Sequence, residues 1–290
     1  MNAKKSLVVL ITGCSTGIGR ALAAAFARAG HQVIATARRP ETLADLDPAP
    51  LAALPLDVTS AASIAAAVEA AAARAGRIDV LVNNAGFGLM GPALELPPDE
   101  LRRQLETNVV GPLAVAQAVA PLMIAQGGGV IVNVGSVSGV LTTPFAGAYC
   151  ASKAALHSLT DALRMELAPF GVEVMCLQPG GVASHFGDTA AQIVGKILPP
   201  NSRYASIARF IEGRAREGQR GAMAADEFAG HVVEAATRPR PPAIFRLAAN
   251  SIRLPLYRWL LPVGLTDRIL TKRFGLDRLR APAAGEKIGG

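Results

Sequence analysis

The sequence predicts an α/β fold, a doubly wound parallel sheet in a single domain with a basic amphipathic C-terminal extension. Three observations carry that prediction. Short apolar runs alternate with helical periodicities along most of the chain, the pattern of parallel strands joined by right-handed helical crossovers. The first apolar run, Leu7 to Ile11, passes at once into a glycine-rich turn and then a helix. Further on, Tyr149 and Lys153 lie four apart at the head of a long helical pattern, and Ser136 ends an apolar run thirteen residues upstream. Residues four apart share a helix face, so hydroxyl, phenol and ammonium can converge at a strand's carboxyl end, where open parallel sheets bind ligands.

Composition agrees with one large α/β domain. A chain of 290 residues with 51% hydrophobic and 4% aromatic residues buries a sizeable core through alanine-rich helices on Val/Ile strands. Cys14, Cys150 and Cys176 show no CxxC spacing and sit in apolar segments, as small core residues of a reducing cytosol do. Met1 to Lys5 leads into the first strand without a signal-type cleavage pattern, and no apolar run reaches the ~18–20 residues that span a bilayer. The expectation is a cytoplasmic protein, at most peripheral to a membrane. Of the net charge of +7, +5 falls between Ser251 and Arg280, where seven basic residues face Asp267 and Asp277. With about +2 left for the rest, affinity for nucleic acid is not supported.

In chain order, Thr12-Gly13-Cys14-Ser15-Thr16-Gly17-Ile18-Gly19 follows the first strand, and Ile18, Leu22, Ala25, Phe26 and Ala29 then recur at helical spacing. Strand, glycine turn, helix is the context of a dinucleotide motif: glycines allow close backbone approach, and the helix amino terminus favours a pyrophosphate. The spacing here is G-x-x-x-G-x-G, and a purely structural turn is the alternative. The second strand, His31 to Thr36, ends in Ala37-Arg38-Arg39. An acidic residue at this place binds ribose hydroxyls and selects NAD; two arginines favour a 2′-phosphate, hence NADP(H), with NAD(H) still accessible. A third strand is expected from Leu54 to Val58. Asp57 in it either accepts from an adenine amino group or caps the helix from Ser60 to Ala75.

Ile78 to Val82 ends in Asn83-Asn84-Ala85-Gly86, small and polar residues that suit a close cofactor approach or local turn bonds. After the Gly/Pro-rich loop Phe87 to Pro98, a helix starts on Pro98, Asp99 and Glu100 and runs past Asn108 to Gly111-Pro112, which should distort it. Freed backbone groups near Asn108 can hold a water. The strand ending at Ser136, a loop to Ala148, the Tyr149 helix to about Ala168 and a strand from Gly171 to Leu177 follow, the last ending at Gln178-Pro179-Gly180-Gly181. Residues 183–223 read as an irregular segment, placed where a substrate lid sits. A helix near Ala224 to Thr237 and an edge strand within Pro239 to Leu247 complete the domain at about residue 250.

Taken together, these residues resemble the short-chain dehydrogenases/reductases over about residues 5 to 250. Thr12 to Gly19 matches that family's T-G-x-x-x-G-[I/L]-G turn, Asn83 to Gly86 its N-N-A-G block, and Ser136, Tyr149 and Lys153 its S and Y-x-x-x-K. Asn108 falls at its active-site asparagine, and Pro179-Gly180 at its P-G. Val33 to Arg39, Phe87 to Pro92 and the basic C-terminal run are similar to the branch of 17β-hydroxysteroid dehydrogenase type 1-like enzymes and 1-acyldihydroxyacetone phosphate reductase. The resemblance implies a Rossmann-type fold and hydride transfer between a nicotinamide and a carbonyl or secondary alcohol. It implies catalysis by Asn108, Ser136, Tyr149 and Lys153. Cofactor contacts are implied from Gly13, Ser15, Thr16, Gly17, Ile18, Gly19, Arg38, Asp57, Val58, Asn84, Ala85, Gly86, Tyr149, Lys153, Pro179, Gly180, Val182 and Ser184. Ser184 stands where the family often has threonine and keeps the hydroxyl. A homo-oligomer is expected on the same ground.

The roles follow from chemistry. A free phenol titrates near ~10, and acid–base work is best near operating pH, so a shift of ~3 units, roughly 4 kcal/mol, is expected at Tyr149. Lys153 and an oxidised nicotinamide supply positive charge of the right sign. Ser136 polarises a carbonyl by hydrogen bonding, and Asn108 holds a water that links Lys153 to solvent. His157 and His185 read as structural, and four histidines with scattered cysteines suggest no metal site.

In the tail, Leu265, Ile269, Leu270 and Phe274 are expected on one helix face and Asp267, Arg268, Lys272 and Arg273 on the other. Leu254 to Leu261, with Tyr257 and Trp259, is more apolar still. Such a segment either lies on a membrane through residues 251–280 or packs on its own domain or a partner subunit. Lid and tail are short of polar recognition groups, which points to a bulky apolar, lipid-like or steroid-like substrate. Two rivals stand beside the enzyme reading. A non-catalytic NADP(H)-binding regulator would need only the cofactor half of the motif set. A membrane-surface adaptor would bind vesicles without cofactor-dependent turnover.

Overall fold

The computed structural model describes residues 6–199 and 201–279; Arg280 and the rest of the predicted extension lie outside the described residues. Among the described residues, seven strands form one parallel sheet: β1 (Val8–Ile11), β2 (Gln32–Ala37), β3 (Ala52–Pro55), β4 (Val80–Asn83), β5 (Gly129–Val134), β6 (Val172–Pro179) and β7 (Ile244–Leu247). Their spatial order is β3-β2-β1-β4-β5-β6-β7. From β1 the chain winds outward through β2 to β3, then returns to build β4 to β7 on the other side. Order therefore reverses between β1 and β4, and the crevice at their carboxyl ends is the expected ligand site.

The helices are α1 (Gly17–Arg28), α2 (Ala61–Ala75), α3 (Pro98–Leu105), α4 (Gly111–Ala125), α5 (Gly147–Leu167), α6 (Phe186–Ile197), α7 (Ala208–Arg216), α8 (Ala225–Ala236), α9 (Arg253–Leu260) and α10 (Val263–Arg273). Alternate residues of β1 explain why its run is wholly apolar. Val9 and Ile11 face Leu22 and Phe26 of α1 and Phe228 and Val232 of α8, while Val8 and Leu10 face Ile64 and Val68 of α2 and Val115 and Val119 of α4. A strand covered on both faces has no polar side to present.

Four expectations are corrected. The third strand lies at Ala52–Pro55, so Asp57 and Val58 follow it rather than belong to it. Leu56 and Val58 are buried against the α2–α4 core, and the Leu56 N–H still donates to the Ala37 carbonyl of β2 at 2.9 Å, so the apolarity there reflects burial just past the end of the strand. Residues 183–223 are not irregular: they form α6 and α7, whose inner faces meet in a third core with Met90, Phe145 and Tyr149. One helical stretch, Pro98–Ala125, is long and apolar enough to cross a membrane by length and composition, but Val115, Ala116, Val119 and Met123 pack it against the sheet. In α10 the predicted single face splits. Leu270, with Phe274 just past the helix end, joins that third core, whereas Leu265 and Ile269 are exposed. At 100° per residue, Leu265 and Ile269 form one stripe and Leu270 and Phe274 another.

The predicted distortion near Gly111-Pro112 takes a specific form. A five-residue π segment, Glu106–Val110, joins α3 to α4 and contains Asn108. Single π turns leave backbone groups unpaired and recur at functional sites.

Candidate active site

The glycine turn after β1 is shaped by two contacts. Gly13 has φ +73°, and a Cβ there would meet the Ala85 backbone at 2.8 Å. A Cβ on Gly19 would come within 2.3 Å of the Asn84 amide nitrogen. Asn84 Nδ2 donates to the carbonyls of Thr12 (2.9 Å) and Gly13 (3.0 Å), and Thr12 Oγ1 accepts from the backbone N–H of Asn84 and of Ala85, both at 3.0 Å. The Asn84 side chain therefore lashes two distant loops together rather than closing a local turn, while Ala85 and Gly86 remain beside the glycine turn. Thr16 precedes α1 without capping it, which leaves first-turn N–H groups for an anion. Ser15 and Ile18 complete the turn. Across the crevice, a Cβ on Gly17 would lie 3.3 Å from Ser184 Cβ, so the turn faces the segment after β6.

Pro179 ends β6; Gly180, Val182 and Ser184 follow it. Gln219 holds this segment: its Oε1 accepts from the Ser184 N–H at 3.1 Å and its Nε2 donates to the Val182 carbonyl at 3.4 Å. Nothing in the local pattern marked Gln219, because its partners lie more than thirty residues away. At the far side of the crevice, Arg38 is exposed just past β2, and its charge helps hold the Asp57 carboxyl below the usual range, after the larger effect of Thr59. Asp57 Oδ1 accepts from the Thr59 N–H (3.0 Å) and hydroxyl (2.8 Å), so one of its oxygens is committed to a local turn. These residues fit a dinucleotide: a turn with no room for side chains, an uncapped helix and an exposed cation at the ribose end.

The chemical groups sit at the carboxyl end of β5. Ser136, Tyr149 and Lys153 are all buried, at 7%, 8% and 6% exposure. Ser136 Oγ accepts from the Ser138 N–H at 3.1 Å and also bonds the Tyr149 phenol. Lys153 Nζ donates to the Val134 carbonyl at 2.6 Å and stands 5.9 Å from the Tyr149 ring centroid. Burial pushes the ammonium down to about 8.

The phenol is governed by its surroundings in the protein alone. Burial raises Tyr149 to about 12, partly opposed by the Ser136 hydrogen bond and the charge of Arg214, and Lys153 is not among the groups that move it. Desolvation outweighs the protein's own positive charge at this ring.

Asn108 is fully buried, and its amide brackets the Phe87 backbone, accepting from its N–H at 3.1 Å and donating to its carbonyl at 3.0 Å. The same Nδ2 reaches Ser152 Oγ at 3.1 Å on the Tyr149 helix. Gln104, four residues earlier, accepts from Leu89 N–H (2.7 Å) and donates to the Phe87 carbonyl (2.8 Å). His157 is structural, as expected, and has a clear task. Its Nε2 accepts from the Ser136 N–H at 3.3 Å, and burial drives its pKa down to about 4. Cys14, Cys150 and Cys176 are free and buried, with Cys14 pushed up to about 12 and Cys176 to about 11.

The α6–α7 segment supplies the remaining wall. The Phe186 ring lies 5.4 Å from that of Tyr149, and Tyr204 stacks edge-on to Phe145 at 6.0 Å. Glu95 clamps the connection from α6 to α7, accepting from Ser202 Oγ (2.6 Å) and Arg203 N–H (2.8 Å). One expectation fails here: Arg214 of α7, only 9% exposed, places a cation inside this apolar wall. It falls between Ile211 and Ala215 on the helix's buried face, so a charge at an apolar-face position was the signal to read.

With this geometry the comparisons agree. The family described as short chain dehydrogenase matches residues 7–192. A short-chain dehydrogenase/reductase of Pestalotiopsis microspora is 35% identical over 280 residues, covering 96% of both chains. Human 17-beta-hydroxysteroid dehydrogenase type 1 is 36% identical over 269 residues, covering 88% of this chain and 80% of that one. A short-chain dehydrogenase from Streptomyces avermitilis superposes with a TM-score of 0.76 at 31% identity, over 95% of this chain and 98% of its own. Neighbours hold either cofactor: a Burkholderia cenocepacia short chain dehydrogenase in complex with NADP (TM-score 0.70, 26% identity, 92% and 98% covered) and an NAD+-bound xylitol dehydrogenase (0.72, 25%, 85% and 99%). The chain belongs to the short-chain dehydrogenase/reductase family of oxidoreductases, which act on small-molecule carbonyl and alcohol substrates.

Proposed function

We propose that the protein is an NADP(H)-dependent oxidoreductase that moves a hydride between the nicotinamide and a carbonyl or secondary alcohol of a bulky apolar substrate. The observation that carries this reading is the meeting of Ser136, Tyr149 and Lys153 beneath an apolar lid whose Phe186 and Tyr204 pack on Tyr149 and Phe145. The bound nicotinamide supplies or accepts the hydride and, when oxidised, carries positive charge. Tyr149 gives its proton to the developing alkoxide, or takes it back in reverse, and Ser136 donates a hydrogen bond to the same oxygen. Because burial, with a smaller push from Cys150, raises the phenol, Tyr149 works as an acid held protonated until charge develops beside it. Lys153, anchored on Val134, supplies fixed positive charge behind it and reaches the nicotinamide ribose; Asn108 fixes the Phe87 loop and the start of a proton path. Arg38, with Ala37 where an acidic residue would select NAD, supports NADP(H).

Relatives named for bulky lipids support the substrate class: 17-beta-hydroxysteroid dehydrogenase type 1, and a 3-ketodihydrosphingosine reductase of Bacteroides thetaiotaomicron. The test follows NADPH oxidation, with NADH as control, over ketosteroids, long-chain ketones, retinal and short ketones. Turnover of a bulky member with NADPH supports the reading. Tight NADPH binding with no turnover across the panel favours a regulator on the same scaffold.

A second reading concerns the tail. Residues 251–279 leave Ile252, Leu256, Trp259, Val263, Leu265 and Ile269 exposed, with Arg258, Arg268 and Lys272 among them. Exposed apolar residues interleaved with bases fit an anionic membrane surface. Co-sedimentation with phosphatidylserine vesicles, lost in Trp259→Ser with Leu256→Ser, is the expected result. A dimer without vesicle binding would reassign this face to a second copy of the chain.

A further inference from the structure

Tyr149, Lys153 and His157 follow one another at four-residue spacing on α5, and hydride transfer itself gives the third no part. Its ring is wedged behind Ser136. A Cβ on Gly135 would come within 2.3 Å of Nε2 and one on Gly139 within 2.6 Å of Cε1, so the chain closes on the imidazole from both sides of Ser136. Nε2 accepts from the Ser136 N–H at 3.3 Å, and Nδ1 meets the side-chain nitrogen of Gln178 at 3.5 Å. Gln178 is only 4% exposed near the end of β6, with Arg246 as its register partner on β7.

The direction of each bond decides what this ring can be. Arg246 Nε can only donate, and Gln178 Oε1 accepts from it at 2.9 Å. That contact orients the amide, so its NH2 faces His157, with Cys176 Sγ as a second acceptor at 3.6 Å. The imidazole therefore meets N–H groups at both of its nitrogens. A neutral ring has one acceptor nitrogen, and an imidazolium has none. The Ser136 amide is served only by a neutral ring with its proton on Nδ1, while the Gln178 NH2 turns to Cys176. Protonation would set N–H against N–H on both sides. The surroundings act in the same sense. Burial, then Lys153 on α5 and more weakly Arg246 on β7, oppose protonation, against Asp161 one turn further along α5. The Cys176 thiol on β6, pushed up to about 11 by burial, adds no charge near neutral pH.

We propose that Gln178, oriented by Arg246, is a positioning residue: its amide presents N–H groups where a carboxylate would invite a second proton, and so keeps His157 a neutral acceptor for the Ser136 N–H. What Ser136 then does to a carbonyl rests on the hydride-transfer reading. The test uses the full chain with 15N-labelled histidine rings, whose signals report tautomer and titration, and His157→Gln gives the assignment. Wild-type His157 should stay neutral, with its proton on Nδ1, down to about pH 5. Gln178→Glu sets a carboxylate against Nδ1 at nearly constant shape. It should raise the titration from about 4 to roughly 5–7, and the Ser136 amide signal should move with it. Through that titration the ratio of variant to wild-type kcat should fall about 3–10-fold, with KM for the ketone little changed. Arg246→Met should move the titration the same way by less, and Arg246→Lys, which keeps charge and donor, should stay closer to wild type. This exposed pair carries the test if Gln178→Glu does not fold. A wild-type His157 titrating near ~6.5, or a titration unmoved in the variants, overturns the proposal. A raised titration with a flat kcat ratio overturns it too and leaves Gln178 a packing residue. If no ketone is turned over, the hydride-transfer reading fails separately, and a Ser136 amide signal that does not follow His157 overturns this one.

Discussion

The ammonium of Lys153 donates to the carbonyl of Val134 at 2.6 Å, two residues before Ser136 on the same chain. One helix thus delivers a cation to the strand that carries the hydroxyl, and Tyr149, one turn back on that helix, completes the group. The cost is a buried charge, with Lys153 at about 8 against its ordinary 10.5.

That depression predicts a pH-dependent penalty. Below pH 8 the folded protein holds the ammonium buried and the full cost applies. From pH 8 to 10.5 the unfolded chain binds more protons than the folded one, so the penalty is relieved as pH rises. Lys153→Met should therefore gain stability over wild type at pH 7, by up to roughly 3 kcal/mol, and the gain should shrink toward pH 10.5. Urea denaturation of both proteins across that range checks it; a constant difference would contradict it.

His157 predicts the acid side. Its folded pKa of about 4, against 6.5, means that the unfolded chain takes up a proton first as pH falls. Stability tied to neutral His157 is complete above pH 6.5 and is lost between 6.5 and 4, up to about 3 kcal/mol. His157→Gln should flatten that part of the pH–stability curve. It should also lower kcat, since the Ser136 N–H loses its acceptor. Stability curves and kcat for the two proteins decide it, and parallel curves would remove the role.

Arg38 predicts cofactor choice. As an exposed cation past β2, it should contribute through the 2′-phosphate alone, so Arg38→Ala should raise KM for NADPH about tenfold or more and leave that for NADH within ~2-fold. Equal effects on both cofactors would assign Arg38 to the turn instead.

What the sequence disclosed follows locality. Val8 to Gly19 and Tyr149 to Lys153 are encoded within single elements, by apolar runs, glycines and four-residue spacing, and the structure keeps them as read. The lid was misread because Gly187, Gly195 and Gly213 interrupt α6 and α7, and their helical form depends on packing against Phe145 and Tyr149. Gln219 acts across more than thirty residues of separation, and no local pattern carries that information; Arg214 shows locally only as a charge on an apolar helix face, not as a partner of distant Thr143. At Tyr149 the sequence shows a neighbouring charge but not how completely the ring leaves water.

The most direct test of the account is the rate of NADPH consumption by Tyr149→Phe on the best carbonyl of the panel, with NADPH affinity measured on the same protein. The account predicts turnover reduced by about 10²–10⁴-fold, the typical worth of general acid catalysis, with an unchanged Kd for NADPH. Turnover close to wild type would contradict it, because the proton would then come from elsewhere.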